Sequence, residues 1–253
     1  MSELKNKKVL LVITGGIAAY KALELIRLLK KKSSSVKTIL SKNANKFVTP
    51  LSVTALSQEK VYIDLFDPSS EAEMDHITLS RWADIILIAP ATANTLSKIS
   101  NANADDLAST VLLAADKEFY IAPAMNVRMW ENKSNQNNVN IIKNMGHEFI
   151  GPDIGDMACG EYGEGKMTEP LEIVNYLEKK SKELKKNNGL KALVTAGPTK
   201  EFIDPVRYIT NKSSGKQGYE VANALKRSGF NTTLISGPTQ LDPIKGVKII
   251  NIS

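Results

Sequence analysis

The sequence predicts an α/β protein: a Rossmann-like, doubly wound parallel sheet, followed by the first part of a second Rossmann-like α/β domain. Three observations carry that prediction. Short runs rich in Val, Ile and Leu alternate with stretches of helical spacing; the first run ends in Thr14-Gly15-Gly16 and passes directly into a helix; and a second strand, turn and helix begin beyond the lysine-rich stretch Lys179 to Lys186.

Taken in order, Lys8 to Thr14 is the first strand, and Ala18 to Lys32 is a helix because Ala22, Leu25, Ile26 and Leu29 share one face while lysines fill the other. Val36 to Leu40, Ile85 to Ala89, Phe119 to Ala122 and Glu148 to Ile150 are further short strands. Right-handed crossovers between them give a sheet whose ligands bind at the carboxyl ends of the strands. This first domain is expected over residues 1–180, with a linker from Ser181 to Gly189 and the opening of a second domain over 190–253. There Lys191 to Thr195 is a strand, Ala196-Gly197-Pro198 a turn, Gly218 to Ser228 a helix, and Thr232 to Ser236 and Gly246 to Ile252 two more strands. Three strands are fewer than the five or six common in a doubly wound domain, so the remainder of that domain is expected to be missing from this chain.

With 253 residues and 42% apolar content the chain has ample material for a core. One cysteine cannot form an internal disulfide and offers no thiol pair to a metal, which fits a reducing, cytoplasmic compartment and no metal site. The net charge of +6 comes from dispersed lysines in a chain with 6% aromatic residues, a poor description of a nucleic-acid surface. Met1 to Lys8 and the apolar run after it resemble a signal peptide only superficially, since no small-residue cleavage pattern follows. No apolar run approaches the roughly 20 residues that span a bilayer.

Three sites at strand ends carry chemistry. Gly15 and Gly16 stand at a helix N-terminus, where unpaired N–H groups and the helix dipole favour a phosphate. The full G-x-G-x-x-G is absent, and the second strand ends in Leu40-Ser41-Lys42 where an NAD site wants an acidic residue, so a mononucleotide fits better than NAD. Pro90-Ala91-Thr92-Ala93-Asn94-Thr95 follows the third predicted strand and reads equally as an N-cap or as hydrogen-bonding groups for a heterocycle. Pro123-Ala124-Met125-Asn126 follows the fourth, which puts Asn126 at the same sheet edge. Away from these, His76 precedes the helix leading to the third strand and reads as structural or as a base, while His147 receives no role. Cys159 lies in Met157-Ala158-Cys159-Gly160-Glu161-Tyr162-Gly163-Glu164-Gly165-Lys166-Met167, a glycine-rich loop in which Lys166 can serve an anionic ligand.

The set Gly15-Gly16-Ile17-Ala18-Ala19-Tyr20-Lys21, His76-Ile77-x-Leu79-x-Arg81-Trp82-Ala83-Asp84, Pro90 to Asn94, Pro123-Ala124-Met125-Asn126-x-x-Met129-Trp130 and Ala158-Cys159-Gly160 with Gly165-Lys166-Met167 resembles the flavin-dependent cysteine decarboxylases. Within them it is most similar to the decarboxylase half of the bifunctional bacterial proteins of coenzyme A synthesis, in which a phosphopantothenate–cysteine ligase follows. Thr195 to Thr199, Asp204 to Asn211 and Ser213-Ser214-Gly215-Lys216 resemble the opening of that ligase half, with Phe202 and Gln217 standing where the family usually has proline and methionine.

The resemblance implies an FMN-dependent decarboxylation of 4′-phospho-N-pantothenoylcysteine to 4′-phosphopantetheine. It implies proton handling for His76, a hold on the substrate carboxylate for Asn126, and proton donation in the last reductive step for Cys159. FMN contacts are expected at Gly15, Gly16, Ser41, Thr92, Ala93, Asn94 and Thr95, and substrate contacts at Met125 and Lys166. It further implies a homo-oligomer built on trimers, with the flavin site completed by neighbouring subunits. For the ligase half it implies CTP with Mg²⁺ and assigns Asn211 to an acyl-cytidylate step, which this chain is not expected to complete. A peptidyl-cysteine decarboxylase that stops at an enethiol, or a non-catalytic flavoprotein regulator, are the other readings; Cys159 and the ligase-like segment oppose the first, and His76, Asn126 and Cys159 together oppose the second.

Overall fold

The computed structural model describes residues 2–64, 75–187 and 189–252. The chain divides into two compact units, Met1–Glu178 and Lys179–Ser253.

In the first unit β1 (Lys8–Ile13) leads through a short 3₁₀ turn, Ile17–Ala19, into α1 (Tyr20–Lys31). Next come β2 (Ser35–Leu40), α2 (Pro50–Ser57), β3 (Val61–Tyr62), α3 (Asp75–Trp82), β4 (Ile85–Ala91), α4 (Ala93–Ser100) and α5 (Leu107–Leu113). The unit continues with β5 (Phe119–Pro123), α6 (Val127–Glu131), α7 (Lys133–Asn144), β6 (Glu148–Phe149), a hairpin of β7 (Asp153–Asp156) and β8 (Tyr162–Lys166), and the start of α8 (Pro170–Asn187). The sheet is parallel in the order β3-β2-β1-β4-β5-β6, the doubly wound arrangement expected from the sequence.

Burial on both faces explains why the strands read as continuous apolar runs. Successive strand side chains point to opposite faces, so Val9, Leu11 and Ile13 join Leu25, Ile26, Ile173 and Leu177 on one side. Leu10 and Val12 join Ile86, Ile88, Leu96, Val111 and Ile142 on the other. His147, which sequence left without a role, stacks on Phe119 at 3.6 Å between ring centroids and accepts a hydrogen bond from the Phe119 amide, so it serves packing.

The second unit contains β9 (Lys191–Ala196), a small hairpin of β10 (Lys200–Phe202) and β11 (Tyr208–Thr210), α9 (Lys216–Arg227), β12 (Asn231–Ser236) and β13 (Lys248–Asn251). Strands β13-β12-β9 form a parallel sheet on which α9 packs through Tyr219 and Ala222 against Leu234. Sequence reading missed the hairpin, where Phe202 sits edge-on to Tyr208 at 5.7 Å.

Three local expectations need correction. The linker expected from Ser181 to Gly189 is helical as far as Asn187, because Lys and Glu are good helix formers and a run of charge solvates a helix rather than ending it. Gly189 stands at φ +95°. His76 lies inside the first turn of α3 rather than before the helix. The glycine-rich segment around Cys159 is the tip and second strand of a hairpin, since glycine lets β8 lie against a neighbouring backbone.

Candidate functional site

A cleft of about 660 Å³ opens at the carboxyl ends of β1, β2, β4 and β5, across the point where the strand order reverses between β1 and β4. That volume is in the range of small-molecule and cofactor sites, ~300–1,000 Å³.

Its floor is the turn after β1. A Cβ on Gly15 would stand 2.5 Å from Asn43 Cβ and 2.8 Å from the Asn43 carbonyl carbon, so the loop after β2 dictates glycine there. Gly16 is different: a Cβ would meet nothing nearer than Thr92 Cγ2 at 3.7 Å, so no neighbour in the chain requires glycine. What glycine provides at 16 is uncovered backbone at the entrance to the Ile17–Ala19 turn, where N–H groups favour an anion. The opposite wall is pinned to this floor: Thr14 Oγ1 donates to the Pro90 carbonyl at 2.7 Å and accepts from the Thr92 amide at 3.2 Å.

Of the two readings open for the stretch after β4, the structure shows the cap directly. Thr92 is the N-cap of α4, its hydroxyl oxygen accepting from the Thr95 amide and lying 3.0 Å from Thr95 Oγ1. Thr92, Ala93, Asn94 and Thr95 also line the cleft, as do Ser41, Met125, Asn126, Cys159 and Lys166. Ser41 accepts from the Ala44 amide at 3.2 Å, which turns the loop after β2 toward Gly15. His76 is half-buried on α3 and does not line this cleft. Asn211 belongs to the second unit, exposed directly after β11.

The far wall is the β7–β8 hairpin, and two glycines seat it. Gly163 lies so close to Val127 that a Cβ would approach Val127 Cγ2 to 2.6 Å; at Gly165 (φ +143°) a Cβ would come within 2.4 Å of the Met125 carbonyl oxygen. The Met125 amide donates to the Gly165 carbonyl at 3.0 Å, so the hairpin pairs with the segment that carries Asn126. Buried Lys21 holds the outgoing end, donating to the Met167 carbonyl at 3.0 Å and to Glu169 at 2.8 Å. Lys166 lays its stem over Gly155, with its ammonium 3.8 Å from Glu169 and none of its described bonds going to the thiol.

This docking sets the polar centre. Asn126 caps α6, its Oδ1 accepting from the Arg128 amide at 2.8 Å, which commits the oxygen and sends Nδ2 toward the hairpin. Nδ2 then donates to Cys159 Sγ at 3.2 Å and to Glu161 Oε2. Arg128 Nε donates to Glu161 Oε1 at 3.2 Å, and Cys159 Sγ lies 3.9 Å from Glu161 Oε2. The Asn126 hydrogen bond, then that of Arg128, holds the Glu161 carboxyl below its usual range, so it is anionic at neutral pH. Glu161 and Arg128 were not foreseen as site residues.

Nor was the clasp at the cleft's other end, where Lys98 donates to Asp106 at 2.6 Å and also to Asp105. Burial opposes charge on both Lys98 and Asp106, but hydrogen bonds prevail: those to Asp105 and Asp106 raise the lysine above the usual 10.5, and those from Lys98 and Ser109 lower Asp106 below 3.8. Asp106 is also the N-cap of α5 in a reciprocal capping box with Ser109.

Residues 1–182 match the family model described as Flavoprotein. The chain belongs to the flavoprotein family. Residues 187–253 match a second model of this flavoprotein's relatives, the DNA/pantothenate metabolism flavoprotein C-terminal domain. The coenzyme A biosynthesis bifunctional protein CoaBC of Haemophilus influenzae is 45% identical over 250 residues, covering 99% of this chain and 62% of the relative. That of Bacillus subtilis is 44% identical over 246 residues, covering 96% of this chain and 61% of the relative. The chain thus spans under two thirds of the length of these curated relatives. Among solved structures, a cysteine-to-serine mutant of PPC decarboxylase complexed with pantothenoylaminoethenethiol is 32% identical with a TM-score of 0.62, covering 68% of this chain and 97% of that one. The FMN binding protein AtHal3 is 32% identical with a TM-score of 0.60, covering 68% and 95%. Among the described residues no helix is long and apolar enough to cross a membrane, and no group of three or more His, Cys, Asp or Glu is placed to hold a metal.

Proposed function

We propose that this flavoprotein binds FMN in the cleft and decarboxylates 4′-phospho-N-pantothenoylcysteine to 4′-phosphopantetheine, a step of coenzyme A synthesis in the cytoplasm. The observation that carries the reading is the pairing of the Asn126 amide with the Cys159 thiol, 3.2 Å apart, on one wall of a cleft whose floor is the bare Gly15-Gly16 turn. The floor suits a phosphate, the Thr92–Thr95 wall offers hydroxyl and amide groups to a heterocycle, and the volume suits a mononucleotide with part of its substrate. FMN, when bound, supplies the two-electron oxidation, and its reversal, that let a carboxylate leave a carbon beside C–S.

The chain's own residues bind, orient and move protons. Asn126 Nδ2 donates to the substrate carboxylate, while its cap to Arg128 keeps the amide from turning over. Cys159 brings a thiol to the same place and gives its proton in the last reductive step. Met125 and Lys166 flank the substrate. His76, set apart from this cleft on α3, serves the cleft of a neighbouring copy in a trimer-based homo-oligomer, handling the proton of the oxidative half. Asn211 we assign to the acyl-cytidylate step of a CTP- and Mg²⁺-dependent ligation performed by longer relatives.

The purified protein is expected to be yellow, with FMN bands that bleach and recover on addition of the cysteinyl substrate, and to release CO₂ with the saturated thiol. A colourless protein that takes up no FMN, or flavin bands indifferent to substrate, would sink the proposal.

A further inference from the structure

Asn126 and Arg128 together make a carboxylate receptor, and a carboxylate of the protein is already in it. Asn126 Oδ1 is committed to the Arg128 amide at 2.8 Å, so the side chain has only its two N–H groups to offer. One points at Cys159 Sγ and the other at Glu161 Oε2, while Arg128 Nε takes Glu161 Oε1 at 3.2 Å. A second carboxylate brought to Asn126 would lie beside an anion on the same amide, and two like charges on one donor repel.

We propose that Glu161 is a resident carboxylate that holds the substrate carboxylate's place on Asn126 and yields it as substrate seats. This rests on the decarboxylase reading above and adds a residue that limits how tightly the substrate carboxylate is held. The hairpin geometry allows the exchange. Glu161 closes the tip through the Met157 amide, which donates to its carbonyl at 2.9 Å, and Gly160 beside it, at φ +81°, has nothing within 4 Å of where a Cβ would be. The strands below are held separately by the close approaches of Gly163 and Gly165 to Val127 and Met125. The tip side chain can therefore swing out while Cys159 stays with Asn126. Loss of CO₂ removes the group that displaced Glu161, so Glu161 returns to Asn126 and Arg128 without competing with the decarboxylated product.

The test uses the FMN-loaded full chain and two probes that cannot react at sulfur: 4′-phospho-N-pantothenoylserine, which keeps the carboxylate, and 4′-phospho-N-pantothenoylethanolamine, which lacks it. Affinities are measured by calorimetry for wild type, Glu161→Gln and Glu161→Ala. Both variants are expected to bind the serine probe about three- to tenfold tighter, the scale of one charge-assisted hydrogen bond at a partly wet site, and to leave the ethanolamine probe within about twofold. Equal changes for both probes, or weaker binding of the serine probe, would show Glu161 to be a structural brace and overturn the proposal. If neither probe binds wild type, the decarboxylase reading itself falls, and the proposal with it.

Discussion

Gly165→Ala isolates the docking of the hairpin from the rest of the fold. At φ +143° an alanine is strained by ~1–3 kcal/mol, and a Cβ 2.4 Å from the Met125 carbonyl oxygen and 2.9 Å from Met157 Cε adds an overpacking cost of similar size, ~1–3 kcal/mol. The strain is relieved if β8 lifts from Met125, which sacrifices the 3.0 Å hydrogen bond between them, about 1 kcal/mol, and the Val127 contact. Lifting is cheaper than moving the Met125 backbone, which continues from β5, a strand paired on both sides within the sheet. The variant is therefore expected to keep its flavin and most of its stability but to part Cys159 from Asn126. The assay is mass spectrometry of the product with absorbance of the retained flavin: the bound cofactor persists while the product lacks two hydrogens, an enethiol that has received neither the hydride equivalent nor the proton of the last reductive step. Release of the saturated thiol at the wild-type rate would refute the argument that Gly165 seats the thiol.

Cys159→Ala should give the same enethiol without moving the hairpin, and full conversion to the thiol would remove Cys159 as proton donor. Gly15→Ala drives a Cβ to 2.5 Å from Asn43 Cβ and 2.8 Å from its carbonyl carbon, so the floor must shift; protein purified with the wild-type flavin content would show that the turn does not hold the cofactor. The Lys98–Asp106 clasp stabilises through a lowered carboxylate and a raised ammonium. Its contribution is complete between the ordinary values of about 3.8 and 10.5, fading as pH falls through the lowered Asp106 value and as it rises through the raised Lys98 value. Lys98→Met should cost about 1 kcal/mol in denaturant unfolding at pH 7, since Asp106 is partly wet, and progressively less under acid; an unchanged midpoint at pH 7 would deny the clasp any weight.

What was legible in the sequence and what was not divides along one physical line. Strands buried on both faces announce themselves, because Val9 to Ile13 and Ile85 to Ala89 must be apolar at every position, and their carboxyl ends mark the cleft wherever small polar residues follow. That logic found Gly15, Gly16, Thr92 and Asn126 from local pattern alone. The hairpin obeys no such pattern. β8, Tyr-Gly-Glu-Gly-Lys, has the composition of a loop, and it is a strand because Gly163 and Gly165 let it lie against Val127 and Met125, residues more than thirty positions away. Sequence could nominate Cys159 by resemblance, but the reason it matters is tertiary: only the docked hairpin turns an exposed thiol into a neighbour of Asn126. Glu161 was hidden for the same reason, since an acid in a polar turn carries no signal until the hairpin delivers it to an amide and a guanidinium. His76 stands on the other side of this divide. Its motif was readable, yet α3 does not bring it to the cleft. Local pattern thus locates the half of the site built on the sheet, and packing between distant segments decides the half that holds Cys159 and Glu161.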